Sequence, residues 1–395
     1  MPAASLAGRR IWFVGIGGAG LSAYALLARA WGAEVAGWDR VDTPYLRPLE
    51  GVPIEIAPEP VVPEGWEVVV STAYAGRVEG APRATLLAEL VSLQDSIVVA
   101  GAHGKTTTTA MIAFCLDRLG LDPAFLVGGE VPQLGGNARA GSGWLVVEGD
   151  ESDRTIESLR PRIAVLTNVD LDHHTTFASR AEVEALFERW LAEVPQVVRG
   201  DELDPVDLEL AVPGEHNRRN AAAALAALEL AGVARAEAER VIVEFRGAGR
   251  RFEPVGEAGG VAVYDDYAHH PAELAATIAA ARERAQGRVL VLFQPHLYSR
   301  TRHLAREFGE ALATADGACV TDIYRAREEP VGGVTGKLLV DAASRARPGM
   351  RLGWSRELDA AAALVAGWAR PGDVVLTAGA GDVDRAAPAI LERLR

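Results

Sequence analysis

One short loop, Gly101-Ala102-His103-Gly104-Lys105-Thr106-Thr107-Thr108, ends an apolar run at 97–100 and opens another at 110–114. A strand that runs into a glycine loop, then Gly-Lys-Thr, then a helix is how a chain holds a nucleoside triphosphate. Backbone N–H groups at the helix N-terminus cradle phosphate oxygens, Lys105 brings a point charge to the outer phosphates, and the Thr106 hydroxyl can ligate Mg2+. Of the 40 basic side chains only two, Lys105 and Lys337, are lysines. Arginine fills nearly every other cationic position, so a lysine here points to chemistry and not to solubility. The loop is a shortened version of the pattern, with Val99 where the longer form has glycine. The plainer reading is a capped helix, in which Thr106 or Thr107 bonds free N–H groups.

Two later apolar runs, 144–147 and 163–166, each lead into acids: Glu148, Asp150, Glu151 and Asp153 after the first, Asp170, Asp172 and His173 after the second. In open α/β sheets the carboxyl ends of the strands are where ligands bind, so these tips should converge on the nucleotide. Hard carboxylates with one imidazole suit Mg2+ better than Zn2+. Glu148 and His173 are the favoured ligands beside Thr106, whereas Asp150 and Asp153 read equally well as caps of the turns that follow.

The elements that must carry these residues repeat along the chain. Strand 11–14, Gly15-Ile16-Gly17-Gly18-Ala19-Gly20, helix 21–31, strand 34–37 and Asp39 form a βαβ unit with a dinucleotide-type fingerprint. That fingerprint also fits an oxidoreductase, a reading that gives Lys105 and the acidic strand tips nothing to do. A strand at 67–71 and a helix at 85–93 complete the first segment. Helices are expected at 180–193 and 220–231. The last segment alternates again, with strands at 261–265, 289–293, 318–321 and 374–377 and helices at 272–284 and 304–314. There Tyr264-Asp265-Asp266-Tyr267-Ala268-His269-His270-Pro271 and Gln294-Pro295-His296-Leu297-Tyr298-Ser299-Arg300-Thr301-Arg302 end adjacent strands. Acids toward an amine and arginine toward a carboxylate would bind a zwitterion, and His270 before a proline reads also as a turn residue. The arginine-rich stretch 246–251 is a hinge candidate.

A length of 395 residues suggests two or three domains. The net charge of -14, with no basic run, argues against nucleic-acid binding. No uncharged apolar run approaches the roughly 18 residues of a membrane span, and the N-terminus lacks a signal-like segment, so no membrane insertion and a cytoplasmic location are expected. Cys115 and Cys319, far apart in apolar surroundings, indicate neither a disulfide framework nor a zinc site. No oligomeric state follows from the sequence.

Taken in order, GIGGAGLS, AGAHGKTTTTAM, VEGDESD, TNVDLDH, PGEHNRRNAAAA, RRFE, YDDYAHHP, FQPHLYSRTR, DIYRAREEP and LTAGAGD span the chain, and in them it resembles the Mur ligases of peptidoglycan synthesis. The resemblance implies an α/β protein of three doubly wound domains. These are a Rossmann-like uridine-nucleotide domain (1–94), a P-loop-type central ATPase with a trimmed insertion (95–246) and a Rossmann-like amino-acid-binding domain (247–395). Most similar is the branch that joins L-alanine to UDP-N-acetylmuramate. ATP and Mg2+ would turn the muramate carboxylate into an acyl phosphate, and the amine would then attack it. Residues carried over by motif are Gly15, Gly17, Gly18, Ala19, Gly20, Ser22, Asp39 and Ser71 for the nucleotide sugar, with Glu151, Ser152 and Asp153 on the substrate side. Gly101, His103, Gly104, Lys105, Thr106, Thr107, His216, Asn217, Asn220 and Arg251 would meet ATP, and Thr106, Glu148 and His173 the magnesium. His269 and Arg300 would meet the amino acid, and Lys105, His173, His269 and Arg251 would be catalytic. Only 39 residues separate His173 from Pro213, where the family has a longer segment. Ala102, Arg154 and Thr175 also depart from the family pattern. A recycling ligase that adds a murein tripeptide or another amino acid, and a non-catalytic nucleotide-binding paralogue, remain the alternatives.

Overall fold

The structure is a computed structural model that describes residues 5–171, 176–326 and 328–395. The first sheet is wholly parallel, in the order β3-β2-β1-β4-β5, from β1 (Arg10–Val14), β2 (Glu34–Asp39), β3 (Ile54–Ile56), β4 (Glu67–Val70) and β5 (Ala81–Pro82). Alternate residues point to opposite faces. Ile11, Phe13, Val35 and Val69 share a core with α1 (Ala19–Ala30) and α2 (Arg83–Leu93), while Trp12, Val14, Trp38 and Val70 form a smaller cluster behind them.

The second sheet comprises β6 (Ser96–Ala100), β7 (Ala124–Val131), β8 (Gly136–Arg139), β9 (Leu145–Glu148), β10 (Ile163–Leu166) and β11 (Gln196–Arg199), in the order β11-β10-β6-β9-β7-β8. Only β8 runs antiparallel. Buried β6 lies between β10 and β9, with Ala100 opposite Leu166 and Val99 opposite Glu148. The 101–104 loop therefore leaves the middle of the sheet between the two strands that carry acids at their ends. Its helix, α3 (Lys105–Arg118), is buried from Thr106 to Leu116, as a helix clothed on all sides must be. The remaining helices of this segment are α4 (Arg180–Leu191), α5 (Glu215–Leu230) and α6 (Arg235–Ile242).

The third sheet has the order β12-β13-β17-β14-β15-β16 and is parallel except for the hairpin strand β12. Its elements are β12 (Glu253–Ala258), β13 (Val261–Asp266), α7 (Pro271–Arg284), β14 (Val289–Phe293), α8 (Tyr298–His303), α9 (Ala305–Leu312), β15 (Gly317–Val320), α10 (Lys337–Ala346), β16 (Arg351–Trp354), α11 (Leu358–Trp368), β17 (Val374–Ala378) and α12 (Ala386–Leu394). Leu274, Phe308 and Leu339, from α7, α9 and α10, share one core, and Val365 and Ile390, from α11 and α12, share the other. Helices thus clothe both faces.

The chain divides into two compact units, Met1–Glu209 with Arg219–Arg246, and Leu210–Arg218 with Gly247–Arg395. The first unit holds the first two sheets and the second unit holds the third. Two helices differ from expectation. The helix expected at 220–231 begins at Glu215, because Gly214 at φ +99° turns the chain directly into it after Pro213. The helix expected at 304–314 runs as α9 from Ala305 to Leu312, and a separate short helix that was not expected, α8, precedes it, ending at Leu304 with φ -108° and ψ 22°.

Where α9 meets α10, a Cβ on Gly309 would lie 2.6 Å from the carbonyl carbon of Ala342. Gly309→Val should therefore force the helices apart and destabilise the second unit by about 1–3 kcal/mol. Thermal unfolding of the variant at the parent's temperature would contradict this packing.

Candidate functional site

The loop at the end of β6 is shaped by its glycines and held by its neighbours. Gly101 has φ +127° and Gly104, which caps α3, has φ +83°. Both lie in the left-handed region that side chains avoid. There is also no room for a side chain, since a Cβ on Gly101 would lie 2.7 Å from Asn168 O and one on Gly104 would strike the Asn220 amide. The tip of β10 straps the loop down. Asn168 accepts from His103 N at 2.9 Å and donates to His103 O at 2.9 Å, the Thr167 hydroxyl donates to the same carbonyl at 2.7 Å, and Ala102 N donates to Asn168 O at 3.1 Å.

Lys105 folds back over this loop. Its Nζ donates to Gly101 O at 2.5 Å, to Ala102 O at 3.3 Å and to Glu151 Oε1 at 2.9 Å. Burial works against the ammonium, but the charge and hydrogen bond of Glu151, with Glu148 and Asp150 beyond, outweigh it and hold the Lys105 pKa above its ordinary value. The lysine stays charged at every physiological pH. Next to it the Thr106 hydroxyl donates to Glu148 Oε1 at 3.1 Å, while Glu148 Oε2 accepts from Gly128 N at 2.8 Å. Thr107 follows, buried in the same turn.

Four carboxylates fall within the six residues 148–153, from the last residue of β9 onward. Asp150 accepts from Ser152 N at 2.9 Å, and Asp153 accepts from Thr155 N at 3.1 Å. Arg83 Nη2 donates to both aspartates, at 2.8 Å each. Burial raises the Asp150 pKa, but the Ser152 hydrogen bond and the Arg83 charge reverse that and leave it lowered. Lys105 and Arg83 together bring fewer charges than the carboxylates they bond, so the segment keeps a negative excess. With Thr106 and Glu148 presenting hard oxygens side by side, that chemistry fits Mg2+. His173 and Asp172 lie outside the described residues.

In the first sheet, Gly17 N donates to Asp39 Oδ2 at 2.7 Å and Gly15 faces Ser71, whose N–H donates to Val14 O at 3.0 Å. Gly18 caps α1, Ala19 and Gly20 form its first turn, and the buried Ser22 hydroxyl donates to Ala19 O at 3.2 Å. These residues gather at the carboxyl ends of β1, β2 and β4.

The second unit brings together another group. Tyr267 and His269 rings meet edge to face at 5.2 Å, His269 and His296 at 5.9 Å, and His296 stacks with Tyr324 at 6.0 Å. Buried Arg300 places Nη1 3.2 Å from His296 Nδ1. The Arg251 guanidinium lies 5.2 Å from the Tyr267 ring centre and 3.9 Å from Glu273. The two aspartates expected to face an amine turn inward instead. Asp265 bonds Arg250 at 2.8 Å and Thr377 at 2.6 Å, and Asp266 accepts from Phe252 N and Ala268 N, both at 2.7 Å. They fix a segment in which Arg250 and Phe252 have φ +55° and +51°. His270 caps α7, the turn role weighed for it. His216 and Asn217 lie in the first turn of α5, where Asn217 Nδ2 donates to Pro213 O at 2.7 Å.

The expected residues therefore fall into three groups: the glycine-rich turn with Asp39 and Ser71, the Lys105 loop with Glu148, Glu151, Ser152, Asp153 and Asn220, and the second unit's His216, Asn217, Arg251, His269 and Arg300. Sequence reasoning missed Arg83, His296 as the partner of Arg300, and the Asn168 strap. Asn168 carried a readable signal, a polar residue at the end of a buried strand next to the loop. Arg83 carried none, because its partners lie 67 and 70 residues away.

Comparison with known proteins matches residues 99–202 to the Mur ligase middle domain and residues 250–381 to the Mur ligase, glutamate ligase domain. The UDP-N-acetylmuramate–L-alanine ligase of Streptomyces coelicolor is 40% identical over 449 aligned positions, covering 97% of each chain. That span exceeds the 395 residues present here, so the relative carries residues that this chain lacks. The UDP-N-acetylmuramate-alanine ligase of Thermotoga maritima superimposes with a TM-score of 0.78 at 28% identity, covering 97% of this chain and 98% of that one. A murein peptide ligase of Psychrobacter arcticus shares the fold, with a TM-score of 0.63 at 24% identity, over 98% and 99% of the two chains.

Burial, reinforced by the Arg251 charge and opposed by Glu283, pushes the His216 pKa down to about 4. The unfolded chain takes up this proton first, so the group's contribution to stability is complete above about pH 6.5 and is lost as pH falls toward 4. Asp266, which burial raises to about 6, acts in the opposite sense over a similar range. The stability difference between the parent and His216→Gln isolates the histidine. It should shift against the parent by about 1–2 kcal/mol between pH 7 and pH 5 in urea unfolding, and a pH-independent difference would contradict the assignment.

Proposed function

The chain belongs to the Mur ligase family, and from that premise we propose that it joins L-alanine to the carboxylate of UDP-N-acetylmuramate, with ATP cleaved to ADP and phosphate, as a step of peptidoglycan precursor synthesis. It is an ATP-dependent, amide-forming ligase. The observation that carries the reading is the half-buried Lys105 paired with buried Glu151, 2.9 Å apart, on a glycine loop set between two acid-tipped strands.

In this reading the amides of 101–106 bind the ATP phosphates, and Lys105 exchanges its loop carbonyls for phosphate oxygen. Its fixed positive charge then opposes the negative charge that builds up as the muramate carboxylate oxygen attacks the γ-phosphorus and ADP leaves. Thr106 and Glu148, with His173, would hold Mg2+, which supplies further neutralisation of the phosphate charge. Gly15 to Gly20, Ser22, Asp39 and Ser71 bind the nucleotide sugar, and 151–153 form the wall on the substrate side. His216, Asn217, Asn220 and Arg251 serve ATP, with Gly101, His103, Gly104 and Thr107 shaping the loop.

The second unit serves the amino acid. Arg300 takes the α-carboxylate of L-alanine. His269 donates from Nδ1 to Tyr267 O at 2.9 Å, a bond that fixes the tautomer in which Nε2 is basic. It can therefore accept the proton that the ammonium must lose before nitrogen attacks the acyl carbon and phosphate departs. The uridine-nucleotide domain is assigned to 1–94, the ATPase to 95–246 and the amino-acid domain to 247–395. Among the described residues no helix is long and apolar enough to cross a membrane. We place the reaction in the cytoplasm, where ATP and nucleotide sugars meet.

The test is phosphate release from Mg·ATP with UDP-N-acetylmuramate, comparing L-alanine, glycine, L-serine and a murein tripeptide. Release should require L-alanine and fall by about 10²-fold or more in Lys105→Ala. Release driven by the tripeptide would move the enzyme to recycling, and binding of both nucleotides without any release would identify a non-catalytic paralogue.

A further inference from the structure

We infer that Arg83 is a positioning residue that couples the glycine-rich turn of the first sheet to the Lys105 loop of the second, so that filling one nucleotide site tunes the other. The inference rests on the proposed function and adds a residue with no part in the reading above.

Arg83 opens α2, and its side chain reaches two places at once. On one side Nη1 lies 3.4 Å from where a Cβ on Gly20 would stand, in the first turn of α1. Tyr24, one turn further along the same helix face, senses the same charge: burial pushes its phenol up to about 12, and Arg83 opposes that shift. On the other side Nη2 bonds Asp150 and Asp153 at 2.8 Å each. Those two aspartates bracket Glu151, the partner of Lys105. The guanidinium Nε is buried and makes no hydrogen bond, so it is through Nη2 that the group holds the two aspartates.

Two consequences follow from elementary electrostatics. A single Nη2 bonds both carboxylates, and because its two N–H bonds are fixed in the guanidinium plane it sets the directions of the two partners as a rotating ammonium does not. The segment carrying Glu151 therefore follows Arg83. Without Arg83, Asp150 and Asp153 would stand uncompensated beside the triphosphate site, and their charge would repel the ligand Lys105 is there to hold. A diphosphate seated on Gly15 to Gly20 would press on the α1 turn that Arg83 touches, and Arg83 would pass the displacement to the segment that carries Glu151. An ordinary ion pair would only stabilise the fold, whereas this one links two ligand sites.

The experiment measures the affinity of full-length protein for a non-hydrolysable ATP analogue with Mg2+, with and without saturating UDP-N-acetylmuramate. In the parent, the nucleotide sugar should tighten the analogue about fivefold or more, the lower end of common couplings. In Arg83→Gln the ratio should fall toward one, and Arg83→Lys should restore only part of it. Asp153→Asn, which keeps the Asp150 bond, should give an intermediate ratio and serves if Arg83→Gln does not fold. A variant that binds more weakly by the same factor in both conditions has lost only structure, and that constant ratio would overturn the inference. So would a parent with no coupling at all. Ligation of L-alanine by the parent is measured separately, so failure of the coupling and failure of the proposed reaction are told apart.

Discussion

An ammonium group taken out of water costs several kcal/mol unless charge and hydrogen bonds replace the solvent, and around Lys105 they do. Glu151 supplies the charge, and Gly101 O and Ala102 O supply further acceptors. The rest of the first unit follows from keeping this cation in place. β6 sits mid-sheet so that the loop opens between β9 and β10. Two left-handed glycines bring loop carbonyls within reach of Nζ, and Asn168 ties the loop to the neighbouring strand. Under the proposed function the same carbonyls that hold the lysine would be weak competitors for it once a triphosphate arrives, because a phosphate oxygen carries full charge and a carbonyl only a dipole. Under that reading the site is pre-charged and would need little reorganisation on binding.

The second unit solves a related problem with the opposite sign. Its acids, Asp265 and Asp266, are buried among backbone N–H groups, Thr377 and Arg250. There they hold the 250–252 segment in a conformation that non-glycine residues adopt at a cost of about 1–3 kcal/mol each. Arg251, between two such residues, thereby has its backbone direction set. Carboxylates used in this way stabilise a loop, and aromatic and basic side chains, Tyr267, His269, His296 and Arg300, gather in the same unit.

Much of the fold and much of the site were legible in the sequence, for local reasons. Gly15 to Gly20, Gly101, Gly104 and the Lys-Thr pair declare themselves because a tight turn from a strand into a helix demands particular residue types at fixed spacing. Buried parallel strands such as 97–100, 163–166 and 289–293 are apolar throughout and end abruptly, so their limits could be read almost to the residue. What could not be read was long-range or marginal. The Arg83 fork depends on segments far apart in sequence. The inward turn of Asp265 and Asp266 depends on a loop whose shape exists only in the folded chain. Short edge strands such as β3 and β16 carry too few residues for a period to show, and the break at Leu304 has neither proline nor glycine to announce it.

If the Lys105 loop activates the muramate carboxylate by phosphoryl transfer, an oxygen of that carboxylate must leave with the phosphate. The direct measurement is ligation of L-alanine to UDP-N-acetylmuramate labelled with 18O in its carboxylate, followed by mass analysis of the phosphate released. One labelled oxygen in each phosphate is the result this account predicts. Unlabelled phosphate accompanying ligated product would contradict it, because the amide would then have formed without the carboxylate ever bonding to phosphorus.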